Sequence, residues 1–340
     1  MFNVIWEIFC IFAALSGKWT KDIFDPMNQQ EKDEKYMHRC LQLAANGRQN
    51  AKPNPMVGAV IVATDENGTE RIIGEGYHQR FGEGHAEVNA FASVCPDDEP
   101  LLRLATIYVS LEPCSHYGKT PPCADLIIKK GVRRCVVGCI DPFSQVQGRG
   151  IGKLRDAGIE VTVGVLEDEC QWINRRFFTF HREHRPYIIL KWAQSADGFI
   201  DKDFHPVMIS NAVTQVLSHK LRAEEDAILV GHTTADRDRP QLTVRHWQGP
   251  DPKRLVLTHQ RPLPQLMDDL YLHGVQSLIV EGGARTHQSF LDAGLWDELR
   301  VETAPVTLGN GTKAACIPKE AAVKDCQVYD QHTLVTLVRR

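Results

Sequence analysis

A chain of 340 residues is longer than one ordinary domain and suits two. Its 43% hydrophobic content suffices to bury real cores, while a formal net charge of −4 provides no broad basic footprint for a polynucleotide. Ten cysteines without short disulfide spacings fit metal binding or burial, in a reducing, cytoplasmic compartment, better than a disulfide scaffold.

At the start of the chain, residues Phe2 to Leu15 are mostly apolar, but Glu7 interrupts them and no basic segment precedes them. The run is short of the ~20 residues a membrane span needs, so no membrane partner is expected. Met27 opens a polar stretch that reads as a natural beginning, and residues 1–26 read as an extension without assigned function.

The elements then alternate. Glu31 to Asn46 predicts an amphipathic helix, Val57 to Ala63 a buried strand after Pro53-Asn54-Pro55, and Gly74 to His78 a second strand. His85 to Val94 has helical periodicity, and Ala105 to Leu111 is a strong strand. Pro121-Pro122 suits the first turn of a helix through Lys130. Arg133 to Gly138 is a further strand, followed by a Gly-rich loop and the helix and strand of Ile151 to Val163. Between Glu167 and Arg185 the composition shifts to charge and aromatics, which places a boundary there. A second alternating pattern follows: strands at Tyr187 to Trp192, Ala227 to Gly231, Arg254 to Thr258 and Ser277 to Glu281, with a helix at Ala212 to Ala223. Gly282-Gly283 opens a helix through Ala293, and the last strands fall near Leu299 to Thr303 and Leu334 to Val338. Both halves therefore predict α/β sheets covered by helices, with an extension at 1–26, a first domain at 27–175 and a second at 185–340.

The strongest chemical signal is His85-Ala86-Glu87 followed by the run from Pro113-Cys114 to Pro122-Cys123. One imidazole and two thiolates are good zinc ligands, and three protein ligands leave a fourth position for water. Bound zinc drops the pKa of such a water toward ~7. Glu87, two residues beyond His85, is placed to take the water's proton and return it to a leaving nitrogen, as a catalytic acid/base. Zinc-dependent nucleobase deaminases carry His-x-Glu with Pro-Cys-x-x-Cys. Here eight residues rather than two separate the cysteines, and Gly118 with Pro121-Pro122 would let the longer loop fold back. A closed zinc site with His116 as fourth ligand, or no metal, is the structural alternative; Glu87 has no reason to stand in a closed site. A basic or aromatic channel for a flipped base does not stand out, which argues against a polynucleotide substrate. A zinc-stabilised interaction module is the non-enzymatic alternative.

The run PCSHYGKTPPC, with HAE upstream and NPMVGAV before it, resembles the deaminase half of the bifunctional riboflavin-biosynthesis deaminase/reductase family. The resemblance extends from about residue 31 to the C-terminus. It implies a cytidine-deaminase-like N-terminal domain, with His85, Cys114 and Cys123 as zinc ligands and Glu87 as proton donor. The implied substrate is a phosphorylated ribosylaminopyrimidine, contacted by Asn54; Lys119 suits a point-charge contact to its phosphate, or reads as a solvated loop lysine. Asn54 between two prolines also reads as a plain turn residue. Asp141-Pro142 stands where the family often reads DPNP, but Phe143-Ser144 replaces its end.

In the second half, RPYIILKWAQSADG at 185–198 resembles the start of the family's reductase half. That half implies a dihydrofolate-reductase-like α/β domain that uses NADPH to reduce a ribosyl group to ribityl. By position Ala193, Thr234, Asp238, Gly283, Ala284, Arg285 and Thr286 would touch the cofactor, and Arg222, Arg245 and Glu281 would hold the substrate. Physical reasons accompany this: Gly282-Gly283 after an apolar strand lets a cofactor approach the backbone, and the helix start offers amides to phosphate. A tight strand-to-helix turn explains the same glycines equally well. Arg222 and Arg245 suit a forked phosphate clamp, or structural ion pairs. The family's Asp-Asp-Pro stands here as Asp238-Arg239-Pro240, and Phe204 to Met208 lacks the expected Ser and Trp. A deaminase with a degenerate reductase-like half is therefore the second reading. Homo-oligomers are compatible with either.

Overall fold

The protein is described by a computed structural model covering residues 27–65, 68–117, 121–143, 147–258 and 260–339. The expectations for residues 1–26 and for Lys119 lie outside the described residues.

Asn28 opens the first helix, α1 (Gln29–Ala44): its side chain accepts the Glu31 amide while the Glu31 carboxylate accepts the Asn28 amide. This capping box satisfies donors that a helix start would otherwise leave unpaired. The buried stripe Tyr36, Met37, Cys40 and Leu43 then packs on one face of a five-stranded sheet. That sheet runs β2 (Glu70–Tyr77), β1 (Gly58–Thr64), β3 (Thr106–Leu111), β4 (Arg134–Cys139), β5 (Glu160–Val163), with β2–β1–β3 antiparallel and β3–β4–β5 parallel. The other face carries α2 (Ala86–Ala92), α3 (Cys123–Lys130) and α4 (Arg149–Asp156) over a core of Ile61, Ile107, Val137, Ile127 and Leu154. Gly76 sets how close α2 comes, because a Cβ there would stand 2.5 Å from the Ala86 carbonyl oxygen. That contact seats the start of α2, with His85 and Glu87, over the sheet.

The boundary stretch Glu167 to Arg185 forms two helices, α5 (Glu167–Ile173) and α6 (Arg175–Glu183). Phe177 and Phe178 of α6 are buried in the α1-side core. Charge and aromatics there make an amphipathic helix rather than an open connection.

Residues 187–339 build a seven-stranded sheet in the order β11 (Ala321–Tyr329), β12 (His332–Arg339), β10 (Glu298–Ala304), β6 (Tyr187–Ser195), β9 (Ser277–Val280), β7 (Ala227–Gly231), β8 (Lys253–Leu257). The strands β10, β6, β9, β7 and β8 are parallel; β12 pairs antiparallel with β10, and β11 pairs antiparallel with β12 at the edge. Helices α7 (Ala212–Glu224), α8 (His232–Asp238), α9 (Leu263–Leu272) and α10 (Ala284–Asp292) connect and cover them. Parallel strands buried on both faces read as unbroken apolar runs, and Ile188 to Leu190, Ala227 to Val230 and Leu278 to Val280 are essentially inaccessible to solvent. No described helix is long and apolar enough to cross a membrane.

Among the predicted elements, Pro121-Pro122 stands before its helix rather than in its first turn. Pro122 is the N-cap and Cys123 the first helical residue.

Candidate active site

Three short structural facts bring the metal-ligand types together. His85 is the extended N-cap of α2, Cys114 lies in the loop leaving β3, and Cys123 begins α3. Their ligand atoms lie within 4.8 Å of one another. His85 Nδ1 stands 3.5 Å from Cys114 Sγ and 3.3 Å from Cys123 Sγ, and the Cys123 amide at the start of α3 donates to Cys114 Sγ at 3.2 Å. Among the described residues this is the one cluster of its kind, and His116 is not part of it although it lines the same cavity. The Cys114 thiol is held down at about 4, first by the Cys123 thiol hydrogen-bonding to it and then by His85, while Cys123 is pushed up by that same partnership. A site that already favours thiolate is matched to a soft or borderline cation.

Glu87 is only 3% exposed. Burial, followed by the Cys114 charge, pushes its carboxyl up to about 7 against the opposing pull of His85. A carboxyl poised near neutrality exchanges protons in both directions at little cost, which suits an acid/base shuttle.

The triad opens into a cavity of about 520 Å³ lined by Asn54, His78, Glu87, Glu112, His116 and Asp141, and by Phe143, Phe177, Phe180 and His181. Asn54 Nδ2 meets His78 Nε2 at 3.1 Å, and His78 Nδ1 meets the Gly84 carbonyl at 3.2 Å. Burial lowers the His78 pKa, which favours the neutral ring. With Nδ1 protonated toward Gly84, Nε2 accepts from the Asn54 amide, and Asn54 Oδ1 remains an acceptor for a ligand. Glu112, the residue before Pro113, is 4% exposed. It accepts the amides of Asp141, Gly148, Gly150 and Ile151 at 2.9 to 3.4 Å, tying Asp141 and the start of α4 to the β3 end. Burial raises the Asp141 carboxyl to about 6.

In the second domain the residues singled out in the sequence gather at the C-terminal ends of parallel strands. Glu281 follows β9 and forms a two-pronged ion pair with Arg222, at 2.6 and 3.1 Å. Arg222 also donates to the Thr243 carbonyl at 3.2 Å. The Gly283 amide donates to Thr234 Oγ1 at 3.2 Å, so the turns after β9 and β7 meet. Thr286 packs under Gly231 and Gly282, where a Cβ would approach its side chain to 2.3 and 2.7 Å. Gly283 stands at the N-cap position of α10 and supplies no side-chain cap, leaving Ala284 and Arg285 at the helix start. Ala193 lies near the end of β6, paired with Glu302. The remaining two residues make local pairs. Arg245 is exposed, donating through Nη1 to Thr243 Oγ1 at 2.9 Å, and Asp238 pairs with Arg237 at 2.7 Å.

The family model for the cytidine and deoxycytidylate deaminase zinc-binding region matches residues 30–139, and that for the RibD C-terminal domain matches 186–268 and 260–335. The riboflavin biosynthesis protein RibD of Aquifex aeolicus is 37% identical, over 83% of this chain and 89% of its own length. That of Escherichia coli is 36% identical, over 84% and 90%. A crystal structure of a diaminohydroxyphosphoribosylaminopyrimidine deaminase/5-amino-6-(5-phosphoribosylamino)uracil reductase from Thermotoga maritima superposes with a TM-score of 0.83 at 31% identity, covering 92% of this chain and all of that one.

The chain belongs to the RibD family. It is a bifunctional deaminase and reductase of riboflavin biosynthesis, with zinc in the first domain and NADPH in the second. The RibD C-terminal match spans the second sheet, and nothing favours a deaminase with an idle second half. The donor set fits zinc: a nitrogen and two sulfurs converge with a thiolate already favoured and a buried carboxyl beside them. The second domain fits a phosphate-bearing cofactor at one place, the uncapped start of α10 beside two glycines.

Several residues of the RibD cavity were not visible in the sequence. Phe177, Phe180 and His181 come from a stretch read as a boundary, and Gln276 reaches the cavity from the second domain. A helical spacing of aromatics in Arg175–Glu183 was the available signal for the first three; nothing local marked Gln276.

Proposed function

We propose that the first domain hydrolyses the exocyclic amine of 2,5-diamino-6-ribosylamino-4(3H)-pyrimidinone 5′-phosphate. In this reading the second domain reduces the ribosyl group of 5-amino-6-(5-phosphoribosylamino)uracil with NADPH. We place the domains at 27–175 and 185–340. The observation that carries the reading is the convergence of His85, Cys114 and Cys123 beside a buried Glu87 whose carboxyl stands near neutrality. When bound, zinc supplies an acidified water as the nucleophile. Glu87 takes one proton from water and gives it to the departing nitrogen, so water and the amino-pyrimidine become the carbonyl product and ammonia. Asn54, fixed by His78, offers its carbonyl oxygen to a pyrimidine N–H, and the aromatic residues of α6 exclude solvent from the ring. Lys119 belongs to the proposal as a phosphate contact.

For reduction, NADPH when bound would supply the hydride for C1′ of the opened ribose or its Schiff base, with a proton completing the ribityl chain. Gly283, Ala284, Arg285 and Thr286 are assigned to the cofactor phosphates, with Ala193, Thr234 and Asp238 along its length. Arg222, Arg245 and Glu281 are assigned to the substrate. The scattered cysteines support a cytoplasmic location, and a homo-oligomer is compatible with the exposed β11 edge.

Glu87→Gln tests the chemistry. It should lower the rate of ammonia release by roughly 10²-fold or more, with zinc content and NADPH oxidation on the deaminated substrate retained. Full ammonia release by the variant would refute the assigned role.

A further inference from the structure

The first domain does not close its own cavity. Gly274 and Gln276, from the turn entering β9 of the second domain, stand on its wall. The loop that carries Asn54 is gripped from that domain at two points. Gln276 Nε2 donates to the Pro53 carbonyl at 2.8 Å, and Lys52 Nζ pairs with Asp226 Oδ1 at 2.7 Å while also donating to the Glu224 carbonyl. One carboxylate joins the grips, because Asp226 Oδ2 accepts the backbone amides of Gln276 and Ser277 at 2.8 and 3.2 Å. Gln276 is only 6% exposed, so water competes poorly for its bond to Pro53.

The bond falls on the peptide unit that leads into Asn54. A peptide unit is planar and stiff, so a displaced Pro53 carbonyl carries the Asn54 backbone with it. Asn54 in turn holds His78, whose ring stands edge-on to that of His85 at 5.4 Å. A chain of contacts thus runs from the second domain through Pro53, Asn54 and His78 to the metal triad.

We propose that Gln276, a residue of the reductase domain, is a positioning residue for deamination in the other domain, fixing Asn54 for the pyrimidine through the Pro53 carbonyl. This rests on the reading of Asn54 as a substrate contact. Losing the grip leaves the triad and Glu87 in place, so it weakens substrate binding and spares the chemical step.

The test uses the full chain loaded with zinc and measures deamination and reduction separately. Gln276→Leu removes the donor, and Gln276→Glu sets an acceptor against the Pro53 carbonyl. Both should raise KM for deamination roughly five- to tenfold, as expected for one buried hydrogen bond, with kcat within about twofold. Reduction constants and zinc content should stay at wild-type values, while the lost buried bond should lower the melting temperature by only a few degrees. Lys52→Met breaks the second grip without altering Gln276 and should give the same split even where a Gln276 variant folds poorly. Unchanged deamination KM in all three variants overturns the inference. A parallel fall of both activities with a lower melting temperature also overturns it, reducing Gln276 to glue between domains. Asn54→Ala separates the two layers of argument. If it raises KM while the Gln276 and Lys52 variants do not, only this inference fails; if it leaves KM unchanged, the substrate reading of Asn54 fails and the inference with it.

Discussion

Single side chains carry the deaminase chemistry because their surroundings were arranged before any ligand arrives. For the proposed proton shuttle, burial lifts Glu87 toward neutrality, and for the proposed metal ligand, Cys123 and His85 favour the Cys114 thiolate. The same logic applies to Arg222 and Glu281, which hold each other in a two-pronged pair. Burial would raise the Glu281 carboxyl, but Lys191 and Arg222 hold it below its ordinary value. Arg222→Met should therefore leave a buried charge short of its partner and cost about 3 kcal/mol in urea unfolding. KM for the reductase substrate should rise in parallel. Stability within error of wild type would show that Lys191 alone compensates Glu281. At this scale the sequence was informative where chemistry demands rare residue combinations at fixed spacing, as with His85, Glu87, Cys114 and Cys123. It was silent where a common residue acquires a role through position, as with Gln276 and Glu112.

At the scale of elements, two segments shape the cavity without contributing to the triad. Asp141 and residues 148–151 hang on Glu112, whose carboxylate gathers four of their backbone amides. Glu112→Ala should strip those buried donors of their acceptor and cost about 3 kcal/mol in urea unfolding. Amide exchange at Gly148, Gly150 and Ile151 should accelerate relative to β3 and β4; unaltered exchange there would show that the segment is held by other means. Helix α6 is the second such segment. Its sequence NRRFFTFHRE looks like a charged junction until Phe177 and Phe178 are seen in one core and Phe180 and His181 on the cavity wall. Strands with unbroken apolar runs, such as β7 and β9, were legible almost to the residue, because burial on both faces forces that composition. Strand β11 was not, since its residues are mostly exposed and include Lys324 and Asp325, and only its pairing with β12 makes it a strand. Helix α8 escaped for a similar reason: none of its residues is buried, so no apolar stripe announces it.

For the whole molecule, the two domains are joined by buried ion pairs as well as by the Pro53 loop. Arg176 on α6 pairs with Glu225, and Arg175 pairs with Glu298 beside Tyr187. Burial alone would raise the Glu225 carboxyl, but the charge and hydrogen bonds of Arg176, with Lys52 and Arg175 behind, hold it at about 2. A depressed carboxyl stabilises the fold above its ordinary value of 4.5 and loses that contribution as pH falls toward 2. His287 acts in the same direction at higher pH. Burial holds it at about 4 rather than 6.5, so the unfolded chain binds its proton first and stability drops as pH falls between those values. Between pH 6.5 and 4 this His287 share is opposed by the raised carboxyls of Glu87 and Asp141, so it is read as a difference: His287→Gln should lose less stability than wild type as pH falls through that window. Identical pH profiles of the urea midpoint for His287→Gln and wild type between 6.5 and 4 would contradict the buried neutral imidazole.

Bifunctionality makes the central claim separable in one preparation, since metal is assigned to one reaction and not to the other. The decisive measurement removes metal from the full chain with a chelator and follows ammonia release and NADPH oxidation side by side, each with its own phosphorylated pyrimidine. Ammonia release should vanish and return with one equivalent of zinc per chain, while NADPH oxidation stays unchanged throughout. Ammonia release that survives complete loss of metal would contradict a deaminase built on His85, Cys114 and Cys123.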